Sequence, residues 1–451
     1  MQQLVRDKGF YRNYFGLMIP MALQSVVGFA GGLADTMMVG GYSESALAAI
    51  SFVNQLQFVL AMLMGGVGEG VLVMNSQYWG QKNLERIKQV TSIAFYISLA
   101  VSLVVSLASL LFPAQYLSLF GATEEVTREG VQYMRIMSLT FLLLGPVNVL
   151  LSTLRSVEKP TIGFIISAST LAFDIFFNYV LIYGKFGFPQ MGAAGAAVTT
   201  AASKLVDFIL LSWYLLYKDE RIRMRVKDFL RFSKEVLGRY LRTALPLIGS
   251  GTSWGIAMWV QTFFMSRMGM GMVSASNIAA SVSQLLMVFV YGGAGAANVV
   301  IGKTIGEKKQ ELIKPYTVTL QMLFLAVGLV TGLLLFFTRH WFLVFYESSI
   351  SPDSLLLANQ LLIVLSVTGV GTAYQMSCLT GIVRGGGDTK FVLYNDIIFM
   401  WGMVLPLSFL CTFVWHTSPL FLFIVLKSDQ ITKCLVAVVK VNRYRWIREM
   451  T

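Results

Sequence analysis

Long apolar runs separated by short basic bursts dominate the chain. A membrane span needs about 20 mostly apolar residues. Twelve stretches reach that length: Phe15–Val39, Ala46–Asn75, Val90–Phe112, Val131–Thr153, Thr161–Tyr183, Gly192–Tyr217, Leu241–Ser266, Ser274–Gly302, Pro315–Thr338, Ser354–Gly381, Phe391–Val414 and Pro419–Val441. A backbone facing lipid must satisfy its own hydrogen bonds, so each is predicted to be a helix. Lys427, Asp429 and Lys433 interrupt the last stretch, and the spacing of four between Asp429 and Lys433 permits a helical ion pair. Whether 419–441 crosses fully or lies partly at the interface stays open at this point.

Composition agrees with the pattern. Of 451 residues, 56% are hydrophobic and 13% charged, against about 25% charged in soluble domains. A disordered chain is excluded, and too few charges remain to disperse a water-soluble fold. The apolar run after Arg6, Lys8 and Arg12 is too long for a signal peptide and has no small-residue cleavage pattern. It is read as a retained first helix.

The net charge of +12 does not indicate nucleic-acid binding, because the basic residues sit in bursts between spans. With the N-terminus in the cytoplasm, 29 Lys and Arg fall on the inner side and 5 on the outer. This asymmetry predicts a multi-pass cell (inner) membrane protein with both termini cytoplasmic. Three cysteines in apolar segments are read as packing residues, and without a Cys/His cluster a structural zinc site is not expected. Both histidines, His340 and His416, are placed in loops.

The two halves resemble each other. Gly80–Lys88 and Gly306–Lys314 share five of nine positions at an offset of 226, as do Pro20 with Pro246 and Thr91 with Thr317. Gly65-Gly66-Val67-Gly68 pairs with Gly292-Gly293-Ala294-Gly295 at 227, and Arg155 with Arg384 at 229. Each half holds an even number of spans, so the repeat is parallel, one of the designs used by transporters. The expected organisation is a six-helix lobe at 1–217, a basic linker at 218–240 and a second six-helix lobe at 241–451.

Ionisable residues inside a span are costly and point to function. Asp35 lies about 6 Å from the outer end of span one, and Asn178 about 8 Å from that of span five. Asp174 is one turn deeper on the same face, and Thr200 is about 12 Å into span six. Two carboxylates with an amide and a hydroxyl suit a proton or a sodium ion. No other metal and no cofactor is expected. Glu69 either meets substrate cations or pairs within its lobe. Lys204 and Asp207, three apart, are expected to pair. Asp396 is given an interfacial role. Gly385-Gly386-Gly387 lacks the following Lys of a nucleotide loop.

In the order and spacing of several motifs the chain resembles the multidrug and toxic compound extrusion (MATE) family of bacterial type. The motifs are Pro20 with Ala34–Gly40, Ser76–Gly80, Asn178–Gly184, Gly192–Ala197 and Arg384–Thr389. The resemblance covers nearly the whole chain. It implies two lobes and export of amphipathic, often cationic compounds, driven by protons or sodium ions. It matches Asp35 to the first-span aspartate, Asp174 and Asn178 to the fifth-span polar pair, and Thr200 to the sixth-span threonine. Some members order the fifth-span pair as Asn then Asp; here it is Asp then Asn. Some carry acids in spans seven and ten that are missing here. The resemblance implies bending at Pro20, with a static kink as the alternative.

The expected function is therefore a cation-coupled secondary antiporter, a monomer in the bilayer that takes small amphipathic or cationic molecules. Candidate chamber contacts are Gln24, Met37, Gln55, Glu69, Gln261 and Gln284. Flexible Met side chains suit varied ligands. A flippase for lipid-linked precursors or polysaccharides is the alternative, disfavoured by the scarcity of intramembrane basic residues. An enzyme is not expected, since no HExxH and no intramembrane His pair exists.

Overall fold

A computed structural model of the chain describes residues 4–40, 44–119, 124–344, 346 and 351–450. The helices are α1 (Lys8–Gly40), α2 (Glu44–Gly80), α3 (Leu84–Leu111), α4 (Glu124–Ser156), α5 (Pro160–Tyr183) and α6 (Gly192–Lys218) in the first half. The second half holds α7 (Lys234–Arg267), α8 (Met270–Gly306), α9 (Gln310–Val344), α10 (Pro352–Val383), α11 (Thr389–Val414), α12 (Pro419–Leu426) and α13 (Asp429–Asn442). Ten of them, α1 to α6 and α8 to α11, are long and apolar enough to cross a membrane. α7 has 34 residues, with Lys234, Glu235, Arg239 and Arg242 in its first turns. The protein is an all-α membrane protein. Among the described residues the one β-bridge joins Gly387 to Ile447.

Local chemistry explains several boundaries. The Asn83 side chain accepts from the Arg86 N–H and starts α3. Ser351 and Ser418 do the same for α10 and α12, each followed by a proline at the first helical position. Gly184, at φ +66°, stops α5 in the left-handed conformation that only glycine adopts without cost. Two expectations are corrected here. The last stretch is not one helix but two, because the chain breaks at Lys427 and Ser428, where four consecutive residues, Lys427 to Gln430, are polar. His340 lies near the C-terminal end of α9 rather than in a loop, whereas His416 is in the turn after α11.

The sequence repeat is a structural repeat. The turns after α2 and α8 put Lys82 and Lys308 at φ 56° and 58°, and each donates its N–H to the carbonyl three residues back, at 3.0 and 2.9 Å. By contact the chain divides into one unit of Leu23–Ile248 and another of Met1–Ala22 with Gly249–Thr451. Both divisions lie inside helices, two residues after Pro20 in α1 and two after Pro246 in α7.

Within the first unit the Tyr240 hydroxyl donates to the Val67 carbonyl at 2.8 Å. Within the second, Tyr14 donates to Gly293 at 3.3 Å. Donors and acceptors are both 226 apart. Glycine permits the close approach of the helices: a Cβ on Gly66 would lie 2.5 Å from the Ile248 Cα, and one on Gly292 2.7 Å from the Met18 carbonyl.

The tails after α6 and α13 are anchored by another matched pair, with the charges reversed. Lys159 pairs with buried Asp219 at 3.5 Å, whereas Asp388 pairs with Arg448 at 2.9 Å; both partners differ by 229. In the connector, Asp228 is buried against α3. It accepts from the Arg225 N–H at 2.9 Å and pairs with Lys88 at 3.1 Å. Burial opposes its ionisation, but the Arg225 N–H, Lys88 and Arg231 outweigh it and hold the carboxyl below the usual range.

A depressed folded pKa stabilises above the unfolded value of about 3.9 and loses that effect as pH falls through the folded pKa. Asp228→Asn is therefore expected to lower stability at pH 7 by about 1–3 kcal/mol. Thermal melts of the two proteins should converge below about pH 4. A gap independent of pH would contradict this.

Candidate cation site

The second half of α1 runs parallel to α5. Gln24 donates to Ser167 at 3.2 Å, Leu171 packs against Gly31, and Tyr183 donates to the Met38 carbonyl at 2.9 Å. Between the last two contacts, Asp35 meets Asn178.

The Asn178 Nδ2 donates both to Asp35 Oδ1, at 2.6 Å, and to Asp174 Oδ2, at 3.2 Å. Asp174 Oδ1 accepts from the Ser203 hydroxyl of α6 at 3.0 Å. Asn178 is fully buried, Asp174 is 6% exposed, and Asp35 is half-buried, so the cluster opens on the Asp35 side. The Asn178 Oδ1 is buried with no hydrogen-bond partner. Two carboxylates bridged by one amide group thus come together, with the amide oxygen buried beside them and unpartnered, a set suited to a hard monovalent cation or a shared proton.

The nearest basic side chain does not neutralise them. Lys204 pairs with Asp207 at 3.0 Å, as its spacing predicts, and Asp207 also accepts from Thr170 at 2.6 Å. Among the described residues, no Lys or Arg lies within ion-pair distance of Asp35 or Asp174. Two carboxylates inside membrane-spanning helices without a close countercharge are costly to keep ionised, which marks the pair as a candidate cation site.

Asp35, Asp174 and Asn178 therefore converge. Thr200 makes no hydrogen bond to them; the hydroxyl that does is Ser203, three residues further along α6. A serine at that spacing from Thr200 was the signal that sequence reasoning missed. Gln24 and Gln261, expected as chamber contacts, are both buried and hydrogen-bonded within their units. The Gln24 Oε1 accepts from Arg155 Nε and Nη2 at 3.0 and 2.5 Å, and Gln261 donates to the Met400 sulfur at 3.2 Å. Met37, Gln55 and Gln284 are exposed, and Glu69 is half-buried in α2. Gln261 is also the repeat counterpart of Asp35, 226 residues on, so the second unit has an amide where the first has an acid. An apolar cavity of about 760 Å³ lies elsewhere, in the second unit, lined by Leu329, Phe336, Val370 and Tyr374 among others.

The MatE family model matches residues 20–180 and 248–410, one match in each half. The chain belongs to the MatE family. It is a multi-span membrane transporter rather than an enzyme. The "Probable multidrug resistance protein NorM" of Photorhabdus laumondii is 27% identical over 413 residues, covering 88% of this chain and 87% of its own. An "Uncharacterized transporter YisQ" of Bacillus subtilis is 24% identical over 411 residues, covering 90% and 88%. Among solved structures, a multidrug resistance MATE family transporter in an outward-facing conformation superposes with a TM-score of 0.87. It is 21% identical and is covered, like this chain, over 98% of its length. This structural likeness establishes the MatE fold for the chain.

Proposed function

We propose that this MatE chain is a cation-coupled antiporter that exports amphipathic, mainly cationic, small molecules by alternating access. The observation that carries this reading is the pair Asp35 and Asp174, bridged by Asn178 and left without a close countercharge. One monovalent cation, a proton or a sodium ion, bound there removes one of the two negative charges. Because Asp35 is on α1 and Asp174 on α5, loading draws the two helices together and unloading releases them. Substrate favours the unloaded state and the cation the loaded one, so each expels the other.

The relatives named for multidrug resistance support the substrate class. The functional lobes are taken as 1–217 and 241–451, joined by the basic connector at 218–240, acting as a monomer. The distribution of Lys and Arg supports cytoplasmic termini in the cell membrane. Pro20, inside α1 and one turn before Gln24, is taken as the place where the helix bends.

The test is efflux of a fluorescent lipophilic cation from proteoliposomes with proton and sodium gradients imposed separately. Efflux driven by at least one inward cation gradient is expected. Substrate movement that merely equilibrates, whichever gradient is applied, would overturn antiport.

A further inference from the structure

The break between α12 and α13 brings charged groups into the interior of the second unit. Asp429 opens α13, which runs to Asn442. A helix break inside a membrane protein is tolerated where it lines a site or is buried in protein.

Here the Lys433 ammonium sits between two carboxylates, 3.2 Å from Asp429 Oδ2 and 3.2 Å from Asp396 Oδ1. The side chains are 7% exposed for Lys433, 1% for Asp429 and 28% for Asp396. Further polar groups surround the two carboxylates. Asp396 Oδ2 accepts from the Ser250 hydroxyl of α7 at 2.5 Å, and Ser250 accepts from Arg384 Nη2 at 3.1 Å. The Arg384 guanidinium itself stands 3.9 Å from Asp396. Asp429 Oδ1 accepts from Gln430, whose Oε1 accepts from Gln375 of α10. Lys427, at the break, lies over the Phe423 ring.

This arrangement is the complement of the first unit's. There, two acids face each other with no ammonium between them, and Lys204 pairs with Asp207 instead. Lys204 and Lys433 are repeat counterparts, 229 apart. One lysine has turned away from a carboxylate pair, and the other fills one.

We propose that Asp396 and Asp429 form a second monovalent-cation site and that Lys433 is its tethered occupant. With Arg384 beside Asp396, the ammonium supplies the remaining positive charge and the donors that a free cation or proton would otherwise bring. The second unit then loads no external cation while Lys433 is in place, and one exchangeable site per chain remains. Only this stoichiometric consequence rests on the reading of Asp35.

The experiment removes the occupant in the full-length protein. Lys433→Met leaves two carboxylates with Arg384, among the described residues, as their one close countercharge and is expected to acquire an external cation. Either its melting temperature rises with sodium chloride but not with choline chloride, or a protonated-carboxyl band appears in its infrared spectrum near pH 7. Both signatures should be absent from wild type and Lys433→Arg at this site, and lost again in Asp396→Asn/Lys433→Met. Recording all of them in an Asp35→Asn background excludes signals from the first unit and keeps failure of this proposal separate from failure of the coupling site. A folded Lys433→Met protein with neither signature would overturn the proposal. If that variant does not accumulate, Lys433→Ala purified with ethylammonium decides: recovery with ethylammonium but not tetramethylammonium supports a cation site, and no recovery rejects it.

Discussion

Asp35→Asn is expected to abolish gradient-driven efflux while leaving substrate binding measurable. The replacement is nearly isosteric, so the Asn178 contact at the α1–α5 junction can re-form with the amide turned, and the helix pairing held by Gln24–Ser167 and Tyr183–Met38 is untouched. What disappears is half of the negative charge that calls for a cation. With Asp174 alone, donors from Asn178 and Ser203 remain, and Lys204 is free to reorient toward it. The coupling between ion and substrate should then fall away. Coupling free energies of 1–3 kcal/mol correspond to factors of about 5–150, so efflux against a gradient should drop by roughly 10- to 100-fold. Binding of a lipophilic cation to purified protein should change by less than about threefold, since in this account Asp35 meets the cation and not the substrate. Vesicle efflux and equilibrium binding measured on the same preparation check both halves. Retained efflux would remove Asp35 from the coupling site.

Gly66→Val and Gly292→Val should each destabilise the protein without altering the cation site. A Cβ on Gly66 meets the backbone of Ile248 at 2.5 and 2.6 Å, and backbone cannot rotate away as a side chain can. α7 must then move off α2, and the buried bond from Tyr240 to Val67 lengthens or breaks. On Gly292 the obstacle is the Met18 carbonyl and the backbone N–H of Ala22, with the Tyr14 bond to Gly293 at stake. Overpacking of this kind costs about 1–3 kcal/mol and often more where backbone must shift. Because Gly66 and Gly292 stand 226 apart, the offset of the matched tyrosine bonds rather than the 227 of the glycine runs, both substitutions should lower the melting temperature by similar amounts. The corresponding losses from Tyr14→Phe and Tyr240→Phe, which remove one hydrogen bond each, should be smaller, about 1 kcal/mol. Thermal melts of the four variants in one detergent test the ordering. An unchanged melting temperature in either valine variant would contradict the close approach.

The apolar runs alone fix the helical membrane class, because length and hydropathy are properties of single segments. The repeat was equally visible, since offsets of 226 and 229 are counted directly. Asp35, Asp174, Lys204 and Asp207 could be singled out because charge in a span is conspicuous. Pairwise geometry was much less legible. Thr200 and Ser203 are equally polar on paper, and only the rotation of α6 against α5 selects Ser203. Gln24 looks like a free polar contact until Arg155, 131 residues away, is found donating to it. The matched tyrosine bonds were hidden for the same reason: periodicity shows which face of a helix is apolar but not which helix it meets. The break at Lys427 and Ser428 was foreshadowed by the interrupting charges. The second partner of Lys433 was not, because Asp396 lies on another helix.

The most direct measurement of the central claim is the number of cations displaced when substrate binds. Detergent-purified protein is titrated with tetraphenylphosphonium in weakly buffered solution, and released protons and displaced radioactive sodium are followed together. Wild type should release close to one cation, of one kind or the other, per substrate bound, and Asp35→Asn should bind the probe and release none. Equal release from both proteins would show that the exchanging cation is held somewhere other than between Asp35 and Asp174.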